Sequence, residues 1–563
     1  MQPPNISNAE PRLRWSDRRE SNDRSPLEYF FLFFPSAFLP LFLQLTSLGL
    51  ERDGRRPITE QEFFVYVGLM LVAGLYKDLP LDELFNGVDD GYEFDVSPLL
   101  RRYMSFTRFK YISKHLQFAT RPTDADDRAQ RGDFWAIQPL IDDFNACRSR
   151  VFRAGRKLVV DESFSPWRGK DERHSQGGCP HVQKEKRKPK GVGMELKNVA
   201  DVTVGVLLVL EIVASADEMH RREHWREGFA STALLLRLFA GFSGSGRIVL
   251  GDSAFASVQT AATLFNNLGL YFIGIVKSCT KRFPLKWTQE YEYARRGDFI
   301  ALTAKYDGVD VRAVGWGDKK VKSLVATCGT TVAGDPHMKK RWRNKNDGTT
   351  EYFTVPVPRP QIVAEYFDGA QAIDVHNHQR QGFGLGLEMR PTDRWQIRFF
   401  QTFVGMVEVD ACKAFQFFSR NTMPHRSFIK AVAWGLLTDQ RNAPRARTRP
   451  HQSPHSPSAA HNLTPLSAAQ YYIGRKRAAD EAGSPAPNTV LTCRVCNSKG
   501  LTNRTTFFCA TCSDQSNPNK TSGLYAVCAP SSRHTRTCFY EHCNDSVSGG
   551  GGGGGGGDGG GAT

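Results

Sequence analysis

The stretch 157-KLVVDESFSPWRGK-170 decides how the middle of this chain is read. Leu158, Val159 and Val160 form a short β-favouring apolar run, and it runs straight into two acids, Asp161 and Glu162. A buried strand that closes on a carboxylate bears a desolvation cost unless the acid has a partner or a task. A lone Asp there reads as a turn or helix-cap residue, so other acids in matching settings matter. One is in 247-RIVLGDSAF-255, where an apolar run delivers Asp252 to a strand's C-terminal end just before a helix. That edge of an α/β sheet is where ligand chemistry gathers. A third is Asp374 in 372-AIDVHNHQRQ-381. Two acids at neighbouring strand ends and one from a helix supply hard oxygen ligands suited to Mg²⁺ or Mn²⁺. Two such ions about 4 Å apart can activate an attacking oxygen and stabilise a leaving one. Spacing alone leaves open whether the three acids meet.

Outward from this stretch the period changes. KLVVD reads as a short strand, GMELKNVAD and VTVGVLLVLEIV as two more, 230–242 as a helix, 247–252 as a strand, 255–270 as a helix and 271–277 as a strand. The order β-β-β-α-β-α-β describes a mixed sheet flanked by helices, an α/β layer fold. Before it, 59-TEQEFFVYVGLMLVAGL-75 has capping-box spacing at Thr59 and Glu62, and 137–151 repeats apolar residues at helical intervals. After it, 393–409 is helical, with Trp395, Phe399, Phe403 and Met406 on one face. Residues 1–24 read as a disordered arm, 441–490 as a Pro/Ser/Arg-rich linker and 546–563 as a Gly-rich tail. The apolar segment 29–50 is interrupted by Pro35 and Pro40 and reads as buried helical pieces rather than a membrane span or signal peptide.

The 563 residues carry 74 Lys and Arg against 58 Asp and Glu, a net +16 that favours polyanionic partners. The run 183-QKEKRKPKG-191 places Lys184, Lys186, Arg187, Lys188 and Lys190 just ahead of the second strand of the sheet. It reads either as a DNA-backbone track or as a solvated loop. Cys147, Cys179, Cys279, Cys328 and Cys412 stand singly and read as reduced structural thiols. Seven others crowd into 493–543: Cys493-x2-Cys496, Cys509-x2-Cys512, Cys528, Cys538 and Cys543, with His534 and His542 among them. Paired CxxC units followed by further soft ligands are a zinc signal, enough for two tetrahedral sites. So small a segment would draw much of its folding free energy from the metal.

Six ordered stretches together resemble the piggyBac transposases and the piggyBac transposable element-derived proteins. They are 63-FFVYVGLMLVAGLYKDLPLDELF-85, 104-MSFTRFKYISKHLQF-118, GRKLVVDESFSPWRGK, KPKGVGMELKNVAD, VLGDSAFASVQTAATLFNNLGLYFIGIVK and YFDGAQAIDVHNHQRQ. The resemblance covers roughly 26–435 and again 493–543. It implies an RNase H-like core (157–280 and 356–385) with an insertion subdomain at 281–355. Around these it implies a helical DNA-binding and dimerisation domain (25–156 and 386–440). It further implies a DDD site of Asp161, Asp252 and Asp374 that ligates Mg²⁺ or Mn²⁺ and cuts and rejoins DNA bearing inverted terminal repeats. The expected assembly is a homodimer, and the expected location, given a DNA substrate, is the nucleus; 474-GRKRAAD-480 and 445-RARTRP-450 are candidate import signals.

The family often has a fourth acid three residues after the third. Here that position is Asn377, which offers a carbonyl oxygen but no negative charge. A cross-brace zinc domain at 491–545 is implied too, pairing Cys493 and Cys496 with Cys528 and His534, and Cys509 and Cys512 with Cys538 and His542, or Cys543 in place of His542. Three function classes stay open at this point: an active transposase, a DNA-binding protein derived from one, and a chromatin or ubiquitin-pathway module built on the cross-brace.

Overall fold

The computed structural model describes residues 5–17, 19–87, 100–172, 174–186, 188, 190–227, 229–277, 281–382, 384–438, 463–481, 490–498, 502–510, 512–513, 521, 524–528 and 538. The chain divides into two compact units, Met1–Pro444 and Arg445–Thr563. Arg187, Cys279, His534, His542, Cys543, the 445–450 motif and the Gly-rich tail lie outside the described residues.

The first unit is organised by one mixed sheet. Its strands are β1 (Lys157–Pro166), β2 (Gln183–Lys184), β3 (Val192–Asp201), β4 (Leu207–Ile212), β5 (Ile248–Gly251), β6 (Tyr271–Val276), β7 (Phe299–Tyr306), β8 (Val309–Gly317) and β9 (Val321–Ala326). They lie in the order β2-β3-β1-β5-β6-β9-β8-β7, with β4 also paired to β3. β1 runs antiparallel to β3 and parallel to β5, and β5 runs parallel to β6. Leu158, Val159 and Val160 are all buried. A continuous apolar run is what a central strand covered on both faces requires.

One expectation is corrected here. β1 does not end at Asp161; it continues through Pro166, its polar residues hidden because Ser163 and Ser165 are buried and bonded to other elements. Residues 281–355, expected as an insertion subdomain within the core, contribute two different structures. β7 to β9 extend the same sheet, with Ser323 opposite Val276, while β10 (His337–Asn344) and β11 (Thr350–Val357) form a separate two-stranded ribbon.

Around the sheet lie α1 (Pro26–Phe33), α2 (Leu39–Arg52), α3 (Glu60–Leu75), α4 (Phe106–His115), α5 (Gln138–Val151), α6 (Ala230–Phe239), α7 (Val258–Leu268), α8 (Gln361–Gly369), α9 (Ala372–Gln381), α10 (Trp395–Phe418) and α11 (His425–Thr438). Pro35 falls between α1 and α2 and Pro40 sits in the first turn of α2, the position where a missing N–H costs least. Among the described residues no helix is long and apolar enough to cross a membrane. Thr59 caps α3 by accepting from Glu62 N, but Glu62 turns its carboxylate to Arg56 and Arg108 instead of closing the box. Phe34, Phe38, Phe42, Phe63, Phe118, Phe400 and Phe403 form a continuous aromatic cluster that joins the N-terminal helices to α10.

The described residues of the N-terminal arm, 5–17 and 19–24, are ordered, against expectation. Arg12–Leu13 pairs with Phe152–Arg153, Trp15 packs edge-on against Tyr29, and the Arg24 guanidinium lies over Trp15 while pairing with Asp17. Edge pairing and one aromatic anchor replace the apolar periodicity that the arm lacks.

In the second unit, the expected linker 441–490 contains folded structure. Leu463–Pro465 pairs with Phe507–Cys509, and α12 (Gln470–Glu481) follows. Leu466, Ala469 and Tyr472 are buried with Phe508 and Leu524. These few apolar residues were diluted in a Pro/Ser/Arg background.

Candidate active site and cysteine cluster

Parallel register sets the first two acids side by side. Val160 lies opposite Gly251, so Asp161 and Asp252 occupy the next position on adjacent strands. Asp252 leaves β5 into a turn in which Ala254 N donates to its Oδ1 at 2.8 Å, and Ser257 then caps α7. Asp374 is exposed in the first turn of α9, which packs against β1. Gly369, at the end of α8, lies so near the sheet that a Cβ there would meet Leu250 at 2.6 Å; this close approach brings the α8–α9 pair down onto the strand ends.

The charges report the same convergence. Burial pushes the Asp161 carboxyl up to about 8, helped by the negative charges of Glu162 and Asp374. Burial likewise raises the Tyr366 hydroxyl on α8, with Asp252 and Asp161 adding to the shift. The three aspartates share one end of the sheet, although their oxygens are not all within 4.8 Å of one another.

Behind the acids is a polar scaffold that sequence reasoning missed. The Ser163 hydroxyl donates to Asn377 Oδ1 at 2.7 Å, Arg380 Nη2 donates to the same oxygen at 3.2 Å, and Asn377 Nδ2 donates to Glu162 O at 3.2 Å. Asn377 therefore sits one turn beyond Asp374 with its amide already engaged. Asp410 of α10, wholly buried, accepts from Arg148 Nη2 at 2.8 Å, from Leu207 N at 2.8 Å and contacts His376 Nε2 at 3.2 Å. It ties α5, the start of β4 and the acid-bearing α9 to one carboxylate. An acid inside the apolar run of α10 was the available signal.

A cavity of ≈ 280 Å³ opens beside the scaffold, lined by Glu162, Lys188, Lys190, Asp374, Asn377 and His378 among others. Lys188 Nζ pairs with Glu162 at 2.9 Å and Lys190 Nζ donates to Gln381 O at 2.8 Å. Burial, then the nearby Arg380, Lys77 and Arg398 charges, lowers Lys190 to about 8. Lys184 and Lys186 are exposed. Of the basic run, Lys188 and Lys190 thus face the acids and the other two described cations face solvent.

In the second unit, Cys493, Cys496, Cys528 and Cys538 gather, with Cys496 Sγ 3.4 Å from Cys538 Sγ and 4.0 Å from Cys528 Sγ. These spans are far beyond a disulfide bond of about 2 Å and match the sulfur separations of a tetrahedral site with bonds of about 2.3 Å. Cys538, expected to pair with Cys509 and Cys512, gathers here with Cys493, Cys496 and Cys528, and Cys509 is buried in the same cluster. The α-helical turn Arg494–Asn497 and the short sheet around Leu491–Thr492 and Arg504–Thr505 place the CxxC pair. The buried Cys147, Cys179, Cys328 and Cys412 are not in disulfides.

The first unit is thus an α/β sheet with aspartates at the ends of adjacent parallel strands, wrapped by helices from both ends of that unit. The chain belongs to the piggyBac-type transposase family: the family model described as Transposase IS4 matches residues 25–411. The cryo-EM structure of a piggyBac transposase synaptic complex with hairpin DNA has the same fold, with a TM-score of 0.59, 16% sequence identity, and coverage of 77% of this chain and 85% of that one. No curated protein matches the chain.

Proposed function

We propose that this protein is a DNA transposase that cuts and rejoins double-stranded DNA at inverted terminal repeats. The observation that carries the reading is that Asp161, Asp252 and Asp374 share one end of the mixed sheet, which we read as an RNase H-like core. The donor set fits Mg²⁺ or Mn²⁺: three hard carboxylate oxygen donors, with the Asp161 carboxyl raised first by burial and then by the neighbouring Glu162 and Asp374 charges, which a divalent cation would offset. Bound there, divalent metal would supply charge stabilisation for phosphoryl transfer to a water or a 3′-hydroxyl.

The protein's own groups position and neutralise. Lys188 and Lys190 set positive charge beside the acids, where a phosphate backbone would pass. The Ser163–Asn377–Arg380 bonds and the Asp410 junction hold α9 against β1, fixing Asp374 relative to Asp161. We assign the Cys493, Cys496, Cys528 and Cys538 cluster to structural zinc, with a second site built around Cys509 and Cys512. We further assign the assembly as a homodimer acting in the nucleus.

The test is metal-dependent nicking of repeat-end DNA by the full chain, abolished by Asp161→Ala. Folded protein that binds repeat DNA yet nicks none of it would sink the enzymatic reading. The engaged amide of Asn377 favours a second reading, a DNA-binding protein whose metal site is weakened. On that reading Asn377→Asp raises nicking and lowers the Mg²⁺ needed for half-maximal rate; an unchanged metal titration would count against it.

A further inference from the structure

Helix α10 buries two acids in an apolar run, and only one of them is fully used. Both oxygens of Asp410 are bonded, Oδ2 to Arg148 and Oδ1 to Leu207 N. Glu408 is wholly buried too, and its Oε2 meets Nε2 of His425, the first residue of α11, at 2.8 Å. Its other oxygen, Oε1, is buried with no hydrogen-bond partner among the described residues. A half-used carboxylate in an apolar interior is costly, and a bound ion is one way to satisfy it. One turn further along α10 stands Cys412, 2% exposed and outside any disulfide. A carboxylate oxygen of Glu408, the Cys412 sulfur and a ring nitrogen of His425 lie within 4.8 Å of one another.

The backbone fixes all three donors. Residues four apart on a helix share a face, so Glu408 and Cys412 turn to the same side of α10. The His425 ring is held from behind. Gly384, in the connection between α9 and α10, approaches so closely that a Cβ there would meet His425 Nδ1 at 2.6 Å. Nε2 is therefore the nitrogen turned to Glu408. One oxygen, one sulfur and one nitrogen are the donors that zinc accepts in a tetrahedral site, with a fourth position left for water. Thiolate and imidazole favour zinc over the hard cations suited to the aspartates. Charge balances as well: a carboxylate and a thiolate together neutralise one Zn²⁺. Burial raises both the Glu408 carboxyl and the Cys412 thiol above their usual ranges, and a cation would offset that cost. The side chain of His425 is 14% exposed, which gives the ion a way in.

We propose that Glu408, Cys412 and His425 form a zinc site that clamps α11 to α10. It shares no ligand with the aspartates or with the cysteine cluster of the second unit, and it does not depend on the transposase reading. Binding releases the thiol proton and the proton held between Glu408 and His425. The competing arrangement is a buried Glu–His pair beside a bystander thiol.

The experiment strips the full chain with chelator, reloads it with Zn²⁺, dialyses it and counts zinc by mass spectrometry. Cys412→Ala, which trims a buried thiol to a methyl, and Glu408→Gln, which keeps the side chain's shape, should each hold about one zinc fewer per chain than the wild type, the loss of a single site. The same decrement should persist when Cys496→Ser is already present in the second unit. Tryptophan fluorescence gives an independent reading, because all nine tryptophans lie in the first unit. Zinc should raise the urea midpoint of that unit more in the wild type than in Cys412→Ala or Glu408→Gln. Equal zinc counts in the wild type and both variants, or a wild-type midpoint indifferent to zinc, overturn the site and leave the Glu–His pair.

Discussion

The acid end of the sheet and the cysteine cluster both gather reactive side chains from distant positions, but by opposite means. At the acids the protein does the gathering. Ser163, Asn198, Asn377, Arg380 and Asp410 form bonds among buried elements, and the acids sit where that frame ends. At the cysteines there is little frame: Val495 and Val527 are the buried apolar residues beside the four thiols, with Leu463 and Tyr525 partly buried against them. The acids are held by that frame of bonds, whereas the cysteine segment has few apolar contacts to hold it, and the zinc assignment makes its folding depend on the ion.

Removing zinc breaks the comparison most directly. Chelation, or Cys496→Ser, should unfold the 490–538 segment, since metal binding in such modules contributes roughly 10 kcal/mol or more of folding free energy. The first unit should keep its own transition. Hydrogen exchange reads both at once, and protected amides around Cys493–Cys496 in chelator would refute the assignment.

Asp161→Ala and Asp252→Ala should do the reverse, leaving the fold and DNA binding in place while cutting strand cleavage by about a thousand-fold or more. Single-turnover cleavage measures it. Cleavage that persists at wild-type rate would remove these acids from the chemistry.

Asp410→Ala sharpens the contrast, because its cost falls on stability. It strands Arg148 and His376 in the interior, and breaking a buried pair in this way costs about 3–5 kcal/mol. Denaturant unfolding of the first unit reads the loss; a midpoint shift no larger than a surface substitution gives would mean the junction is not structural.

The smallest effect concerns pH. Lys190 has its pKa lowered to about 8, so its positive charge is present below that pH and is lost as pH rises through it. DNA affinity should fall modestly between pH 7 and 9, and Lys190→Arg should flatten the profile because the guanidinium stays charged. A profile identical in both proteins would show that Lys190 does not meet the phosphate backbone.

Much of the sheet was legible because its strands are short, apolar and separated by turn residues, as in 247-RIVLGD-252 and 271-YFIGIVK-277. The acids were legible as strand and helix positions, and the two CxxC pairs as soft-ligand spacing. The extent of β1 was not: Glu162, Ser163 and Ser165 look like a loop until their partners, far away in the chain, are known. Asp410 stood out only as an acid inside an apolar run, and neither it nor Arg380 could be read as a support, since a buried polar residue is recognised by what it bonds to. The ordered N-terminal arm depends on the single anchor of Trp15 on Tyr29, too sparse for a periodic signal. The quartet containing Cys538 could not be reached by counting, because spacing gives the number of ligands and leaves their pairing open.

The junction at Asp410 has a further consequence for how the molecule comes apart. One carboxylate is shared by α5, the first residue of β4 and the helix that presents Asp374. Local opening of any one of these must release the other two, so the first unit should lose its protected amides in a single cooperative step. Partial loosening, the usual route by which proteases and heat erode a large chain, would then be scarce in this half of the molecule.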